Sequence, residues 1–398
     1  MNSVAVVGFS LAGLRACETL RHGGHEGRLV VVGAEEHLPY DRPPLSKQLL
    51  AGTCEVEQVF LKPAEEYGGL DLDLRLGRRA VSLDVGGREV TLDGGERLAF
   101  DGLVIATGAR PRALPGTPPL EGIHLLRTLD DCLSLRDALE QAGHVVVVGA
   151  GFIGSEVAST CHKRGLDVTV LEALPTPLVR ALGEEMGAAC AALHHDHGVD
   201  LRTGVGVSGF EGRGRVERVL LRDGSVIEAD VVVIGVGVAP ETGWLESSGL
   251  TLHDGVVCDA TCAAAPGVVG AGDVARWHNP LFDTAMRVEH WTNAAEQGMA
   301  AARTLLAGPA QAEPYAPVPY FWSDQYETKI QCVGHLQPGD EVRVVDGSIE
   351  DRKFVAVYGR AGRLVGALGF SRPKLVLAYR RLIAEGASFD AALAYATG

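Results

Sequence analysis

The sequence predicts an α/β fold in which two Rossmann-like halves are followed by a smaller α+β domain. Three observations predict it. A short apolar run, a glycine turn and a helical pattern occur in order at residues 3–13, SVAVVGFSLAG. The same arrangement returns at residues 144–154, HVVVVGAGFIG. From about residue 318 the glycine turns of this kind stop, and β-rich pieces separated by glycines take over.

In the first copy, residues 4–7 read as a buried parallel strand, because an apolar run of that length bounded by a turn suits a strand covered on both faces. The turn Gly8-Phe9-Ser10-Leu11-Ala12-Gly13 leads into a helix over residues 14–21. A helix N-terminus carries unpaired N–H groups and the positive end of the macrodipole, so a pyrophosphate can sit there without a basic side chain. The dinucleotide fingerprint asks for three glycines: one for the turn, one for close approach, one for helix–strand packing. Gly8 and Gly13 fill the first and third places, and Ser10 stands in the second. The second copy has all three, Gly149, Gly151 and Gly154, with Phe152 and Ile153 between them. After each copy a second apolar strand runs to an acid, Glu35 in one case and Glu172 in the other. A carboxylate there accepts both hydroxyls of an adenosine ribose. Two copies, each with its acid, predict two dinucleotide-binding domains plus the C-terminal α+β domain.

At 398 residues the chain is too long for one core. A formal charge of −15 argues against general nucleic-acid binding. No apolar run is long enough to span a bilayer, and residues 1–8 lack the basic segment of a signal peptide, so a cytoplasmic chain without membrane attachment is expected. None of the eight cysteines forms a C-x-x-C pair, which suits scattered cytosolic thiols better than a disulfide framework or a zinc site. The histidines of residues 194–198, HHDHG, lack a carboxylate or cysteine cluster to complete a metal site. No metal is expected there, and the stretch reads as a solvated helix end.

In chain order, residues 40–46 contain two prolines and read as an irregular loop flanked by Arg42 and Lys47, with Pro43 inside it. Residues 72–103 alternate apolar runs with turns and predict an antiparallel excursion. Ala106-Thr107-Gly108 is a small-residue corner where backbone can approach a ligand. Four prolines between residues 111 and 119 mark a crossing between domains. Arg127 opens RTLDD and a helix to about residue 141. A helix over residues 152–164 carries Glu156, which either favours the helix N-terminus or pairs with Lys47 at the cofactor. Residues 230–234 form another parallel-type strand ending at Gly235-Val236-Gly237. In VVGAGD, Gly272 closes a turn and Asp273 is placed for a ribityl hydroxyl. Arg287, Glu289 and Trp291 precede a helix over residues 292–306, with Thr292 as its N-cap. A basic helix, residues 373–385, comes last. The expected division is residues 1–109 and 240–317 for the first dinucleotide-binding domain, 110–239 for the second, and 318–398 for the C-terminal domain.

The motifs GFSLAG, RPPLSK, IATGARPR, RTLDD, VVVVGAGFIGSE, GVGVAPETGWL, GAGDVA, VEHWTNAAEQG and YFWSDQY, in this order, cover essentially the whole chain. Their order resembles the FAD-dependent NADH:ferredoxin reductases of bacterial oxygenase systems, the putidaredoxin reductase family with a glutathione-reductase-like fold. The resemblance implies FAD contacts at Ala12, Glu35, Lys47, Val81, Arg127, Asp273 and Trp291, and NADH contacts at residues 149–154 and Glu172, with Gly237 beside them. It implies that Lys47 and Glu156 lie by the flavin N5, Glu289 by the nicotinamide amide, and that Trp322 reaches the flavin. Two departures stand out: Ser10 replaces a glycine, and Ala34 occupies a position where many relatives carry an acid, leaving the ribose contact to Glu35.

Glu172 repels a 2′-phosphate and no arginine stands in residues 173–179, so NADH is expected over NADPH. The segment after the first helix holds only Cys54, which argues against a dithiol relay. Electrons then leave the flavin directly for a one-electron acceptor, which the resemblance implies is a 2Fe–2S or 3Fe–4S ferredoxin that serves a cytochrome P450 or a ring-hydroxylating oxygenase. Arg287, Arg303 and Lys329 are candidate docking cations for an acidic ferredoxin. Two other readings remain open: an NADH oxidase or peroxidase, and an NADH-sensing flavoprotein that recruits a partner.

Overall fold

A computed structural model describes residues 1–395. They divide into two compact units. The first comprises residues 1–41, 59–110 and 239–319, the second residues 42–58, 111–238 and 320 onward.

The first unit is built on a six-stranded sheet in the order Ala263–Ala265, Val268–Gly270, Gly102–Ile105, Ser3–Val7, Arg28–Gly33, Asp73–Leu76. All neighbours are parallel except the first pair. Alternation along Ser3–Val7 sends Val4 and Val6 to one face and Ala5 and Val7 to the other. On the first face lie the helices Leu11–His22 and Trp291–Ala307, through Leu14, Leu20, Ala301 and Leu305. On the second lie two small three-stranded sheets that contribute Leu83, Val90 and Trp277. The two helices cross closely because Gly298 has no side chain: a Cβ there would come within 2.3 Å of the Ala12 carbonyl oxygen.

The second unit contains a five-stranded parallel sheet in the order Asp200–Thr203, Asp167–Glu172, His144–Val148, Val231–Ile234, Ile123–His124. It also contains a five-stranded antiparallel sheet formed by Tyr320–Gln325, Thr328–Gly334, Arg363–Phe370, Lys353–Arg360 and Glu341–Ser348, on which the helix Pro373–Ala384 packs.

Four local expectations are corrected. Asp73–Leu76 does not belong to an antiparallel excursion; it pairs parallel with Arg28–Gly33, and only Ala80–Asp84, Glu89–Leu92 and Arg97–Ala99 are antiparallel. Its alternating pattern fits an edge of either kind of sheet, so sequence alone does not choose. The loop at residues 40–46 ends in a 3₁₀ turn, Pro43–Ser46, with Pro at the first position where its missing N–H costs nothing. Thr292 is not an N-cap: the helix begins at Trp291 and His290 occupies the cap position without a side-chain cap bond. The HHDHG stretch is not simply solvated: His194 is 1% exposed, with its ring nitrogens 2.8 Å from the Tyr326 hydroxyl and 3.2 Å from that of Ser155.

Candidate functional site: two glycine turns and a buried ion pair

In the first unit, Gly8 has φ +106°, and a Cβ on it would lie 2.1 Å from the carbonyl oxygen of Ala106. Only glycine lets the Ala106-Thr107-Gly108 corner come so close. A Cβ on Gly13 would meet the Gly8 carbonyl oxygen at 1.9 Å, so the third glycine sets how tightly helix and turn pack. Ser10 occupies the N-cap of Leu11–His22 and makes no side-chain cap bond, and the first turn, including buried Leu11 and Ala12, carries no acid. Neither a capping bond from Ser10 nor an acid in the first turn competes for its N–H groups, so the serine departure is compatible with an anion bound there.

The other residues expected at this cofactor make the following contacts within the unit. Glu35 follows Arg28–Gly33 and accepts a hydrogen bond from the Tyr40 hydroxyl, whereas Ala34 is exposed. The Trp291 indole N–H donates to the Asp41 carboxylate at 2.7 Å. The Thr107 hydroxyl donates to the Glu241 carbonyl at 2.8 Å. Gly272, at φ +75°, donates its N–H to Gln297 Oε1 at 2.9 Å, and Asp273 beside it is buried. Val81 is half exposed on its strand. His290 precedes Trp291 and is partly buried, and desolvation pushes its imidazole down to about 4.

Arg287 corrects an expectation. It is no exposed docking cation: its side chain is 9% exposed and bonded to Glu289 at 2.6 Å and Asp254 at 3.2 Å. Burial opposes its charge, yet Glu289 and Asp254 outweigh burial and raise its pKa. Arg303 is exposed, and Lys329 is exposed but 3.4 Å from Asp324.

In the second unit the glycine turn repeats with the same sterics. Gly149 has φ +103°, and a Cβ there would stand 2.4 Å from the Gly235 carbonyl oxygen; one on Gly154 would stand 2.0 Å from that of Gly149. Gly151 differs: a Cβ there meets nothing nearer than 4.0 Å. The space above it is open at the N-cap of Phe152–Lys163, whose first turn, with Phe152 and Ile153, carries no acid. Gly237, at φ +94°, is likewise open. Glu172 is already oriented, accepting from the N–H of Ala150 at 3.0 Å and of Leu174 at 2.9 Å. These features fit a bound dinucleotide.

The same unit brings Lys47 and Glu156 together at 2.6 Å, with side chains 12% and 3% exposed. Sequence reasoning missed what surrounds them. Ser46 donates to Glu156 Oε2 at 2.5 Å and Ser323 donates to Oε1 at 2.7 Å. Lys47 also donates to the Pro43 carbonyl at 3.1 Å. Glu156 thus has three donors around its two buried oxygens, the partners that burying such a group requires. Nearby in the chain, Arg42 donates to the Arg127 carbonyl. Thr128 and Asp131 cap the following helix reciprocally, so RTLDD is a capping box. Trp322 stacks with Tyr320 at a ring separation of 6.0 Å.

All eight cysteines are unpaired, and only Cys54 is not buried. No group of three or more His, Cys, Asp or Glu side chains among the described residues forms a candidate metal site. No helix among them is long and apolar enough to cross a membrane.

Residues 2–298 match the family described as pyridine nucleotide-disulphide oxidoreductase, and residues 320–397 match reductase C-terminal. The chain is 36% identical to rhodocoxin reductase of Rhodococcus erythropolis over 385 residues, covering 96% of this chain and 89% of the relative. It is 37% identical to the ferredoxin–NAD(+) reductase component of the biphenyl dioxygenase system of Paraburkholderia xenovorans, covering 92% and 93%. Its backbone matches the reductase in the crystal structure of the covalent putidaredoxin reductase–putidaredoxin complex with a TM-score of 0.92 at 33% identity, covering 97% and 93%. The chain belongs to the pyridine nucleotide-disulphide oxidoreductase family, within its FAD- and NADH-dependent ferredoxin reductases.

Proposed function

We propose that the chain passes electrons from NADH through FAD, one at a time, to a 2Fe–2S or 3Fe–4S ferredoxin that supplies a cytochrome P450 or a ring-hydroxylating oxygenase. One observation carries the reading: two glycine turns, each followed by a carboxylate-tipped strand, in a chain whose cysteines are all unpaired. The names of the relatives, and the solved complex of one with its putidaredoxin, support a ferredoxin as the acceptor. When bound, FAD would supply the chemistry of taking an electron pair from NADH and releasing it singly.

The chain's own residues bind and orient. The first-turn amides around Ser10, Leu11 and Ala12 hold the FAD pyrophosphate, Glu35 the adenosine ribose and Asp273 the ribityl chain. Gly272, Trp291 and residues 106–108 shape the remaining FAD surface, together with Arg42, Pro43, Val81 and Arg127. Residues 149–154, Gly237 and Glu172 hold NADH, and Glu289 receives its carboxamide. Lys47, fixed by Glu156, supplies the positive charge that favours the reduced flavin, and Trp322 offers an aromatic face. The FAD part comprises residues 1–109 and 240–317, the NAD part 110–239 and the C-terminal part 318–398. Unpaired, mostly buried thiols suit a reducing compartment and support a cytoplasmic location.

The test is steady-state NADH oxidation with a panel of 2Fe–2S and 3Fe–4S ferredoxins, compared with oxygen alone. The expected result is rapid reduction of at least one ferredoxin and slow turnover on oxygen. A rate that no ferredoxin increases would overturn the reading in favour of an oxidase or a sensor.

A further inference from the structure

We infer that Arg287 is a positioning residue that sets the FAD-side turn and the nicotinamide-side carboxylate with one guanidinium. The inference rests on the function proposed above. Arg287 Nη1 donates to the backbone carbonyl of Asp273 at 3.2 Å and to Glu289 Oε1 at 2.6 Å, while Nη2 donates to Asp254 Oδ1 at 3.2 Å. The planar fork fixes the direction of each donor, so the three acceptors are held at fixed angles to one another. A lysine has no such fork.

Burial separates this arrangement from ordinary surface pairing. Arg287 is 9% exposed, whereas Glu289 and Asp254 are 41% and 45% exposed. The guanidinium lies beneath two carboxylates that reach towards solvent. Exposed pairs between two long side chains contribute little, because both lose freedom to meet. Here one partner is already immobile, so Glu289 alone is ordered.

The backbone around Asp254 is arranged for the same contact. Asp254 has φ +46° and Gly255 φ +123°. A Cβ on Gly255 would press the Val274 carbonyl oxygen at 2.6 Å and Arg287 Cδ at 3.1 Å. Glycine at this position lets the turn lie against the arginine stem. Arg276 also faces Asp254, at 3.7 Å, so the carboxylate sits between two guanidinium groups. Arg287 links Asp254 to Glu289 and to the Asp273 carbonyl, so the loss of Asp254 should reach the site through Arg287, and this gives a signature that a merely structural role lacks.

Three full-length variants test it: Arg287→Gln, Arg287→Lys and Asp254→Asn, with the double variant of Asp254→Asn and Arg287→Gln. Two quantities are read, FAD release by the fluorescence of free flavin, and KM and kcat for NADH with ferricyanide as acceptor. In Arg287→Gln, FAD release accelerates and KM for NADH rises on the order of tenfold, the worth of one charge-assisted bond, with a smaller change in kcat. Arg287→Lys recovers charge but not the fork and restores FAD retention only in part. Asp254→Asn raises KM in the wild-type background and adds nothing in the Arg287→Gln background.

Unchanged FAD release and KM in Arg287→Gln would overturn the inference alone, provided the wild-type protein is yellow. So would an Asp254→Asn effect of equal size in both backgrounds. A colourless wild-type protein would overturn both the inference and the function it rests on. If Arg287→Gln fails to fold, Asp254→Asn decides by its KM, because Asp254 is half exposed and its loss leaves the core intact; an unchanged KM is then the overturning result.

Discussion

At the scale of single residues, the Lys47–Glu156 pair is the feature most exposed to test. Replacing Lys47 by Ala leaves a buried carboxylate with two serine donors and no counter-charge. Flavin reduction by NADH should slow about tenfold or more, the value of a charge-assisted bond of roughly 1.5 kcal/mol, in stopped-flow measurements at 450 nm. Ser46 and Ser323 were not legible in the sequence, because a serine has no periodic or spacing signal and these bonds span 110 and 167 residues. Glu172 was legible, since strand end and acid are neighbours in the chain. Its carboxylate is fixed by two amides before any nucleotide arrives. Substituting Gln keeps an acceptor and removes the charge that opposes a 2′-phosphate. The ratio of NADPH to NADH kcat/KM should therefore rise by about tenfold.

At the scale of elements, the helix crossing at Gly298 is tight enough to be broken by one methyl group. Ala at that position would force the Ala12 carbonyl away from 2.3 Å. The cost should be about 1–3 kcal/mol, with a lower Tm and weaker FAD retention, because Ala12 lies in the first turn proposed to hold the FAD pyrophosphate. A sequence shows a glycine inside a helical pattern but not the backbone it faces, so this contact was invisible. The fingerprint helices were visible because turn, glycines and apolar strand lie within a dozen residues. Helix Glu184–Asp196 gives a different lesson. Its last turn is rich in histidine, which reads as polar, yet the Tyr326 hairpin covers His194. Burial pushes His194 down to about 4, as it does His290. Both imidazoles are neutral in the folded protein, while the unfolded chain takes up protons below the ordinary histidine value of 6.5. This contribution is complete above pH 6.5 and is lost as pH falls towards 4. The urea midpoint should drop over that window, and His194→Gln should make the drop shallower.

At the scale of the whole molecule, charge and sulfur decide how electrons leave. A chain of net charge −15 meets an acidic carrier only where cations are locally exposed. With Arg287 engaged in its own unit, Arg303 and Lys329 remain from the cations considered. Reversing both should weaken ferredoxin reduction at low ionic strength and flatten its salt dependence, with NADH–ferricyanide turnover unchanged. Cys54→Ser should leave both activities at the wild-type level, since no second thiol is paired with it. Seven of the eight thiols lie inside the protein, where burial raises the pKa of Cys132, Cys161, Cys190 and Cys258 to about 12 and suppresses the reactive anion. Turnover in the cell should then track the ratio of reduced to oxidised nicotinamide and ignore the glutathione pool. Oxidative stress would reach this enzyme through its fuel supply before it reached the polypeptide.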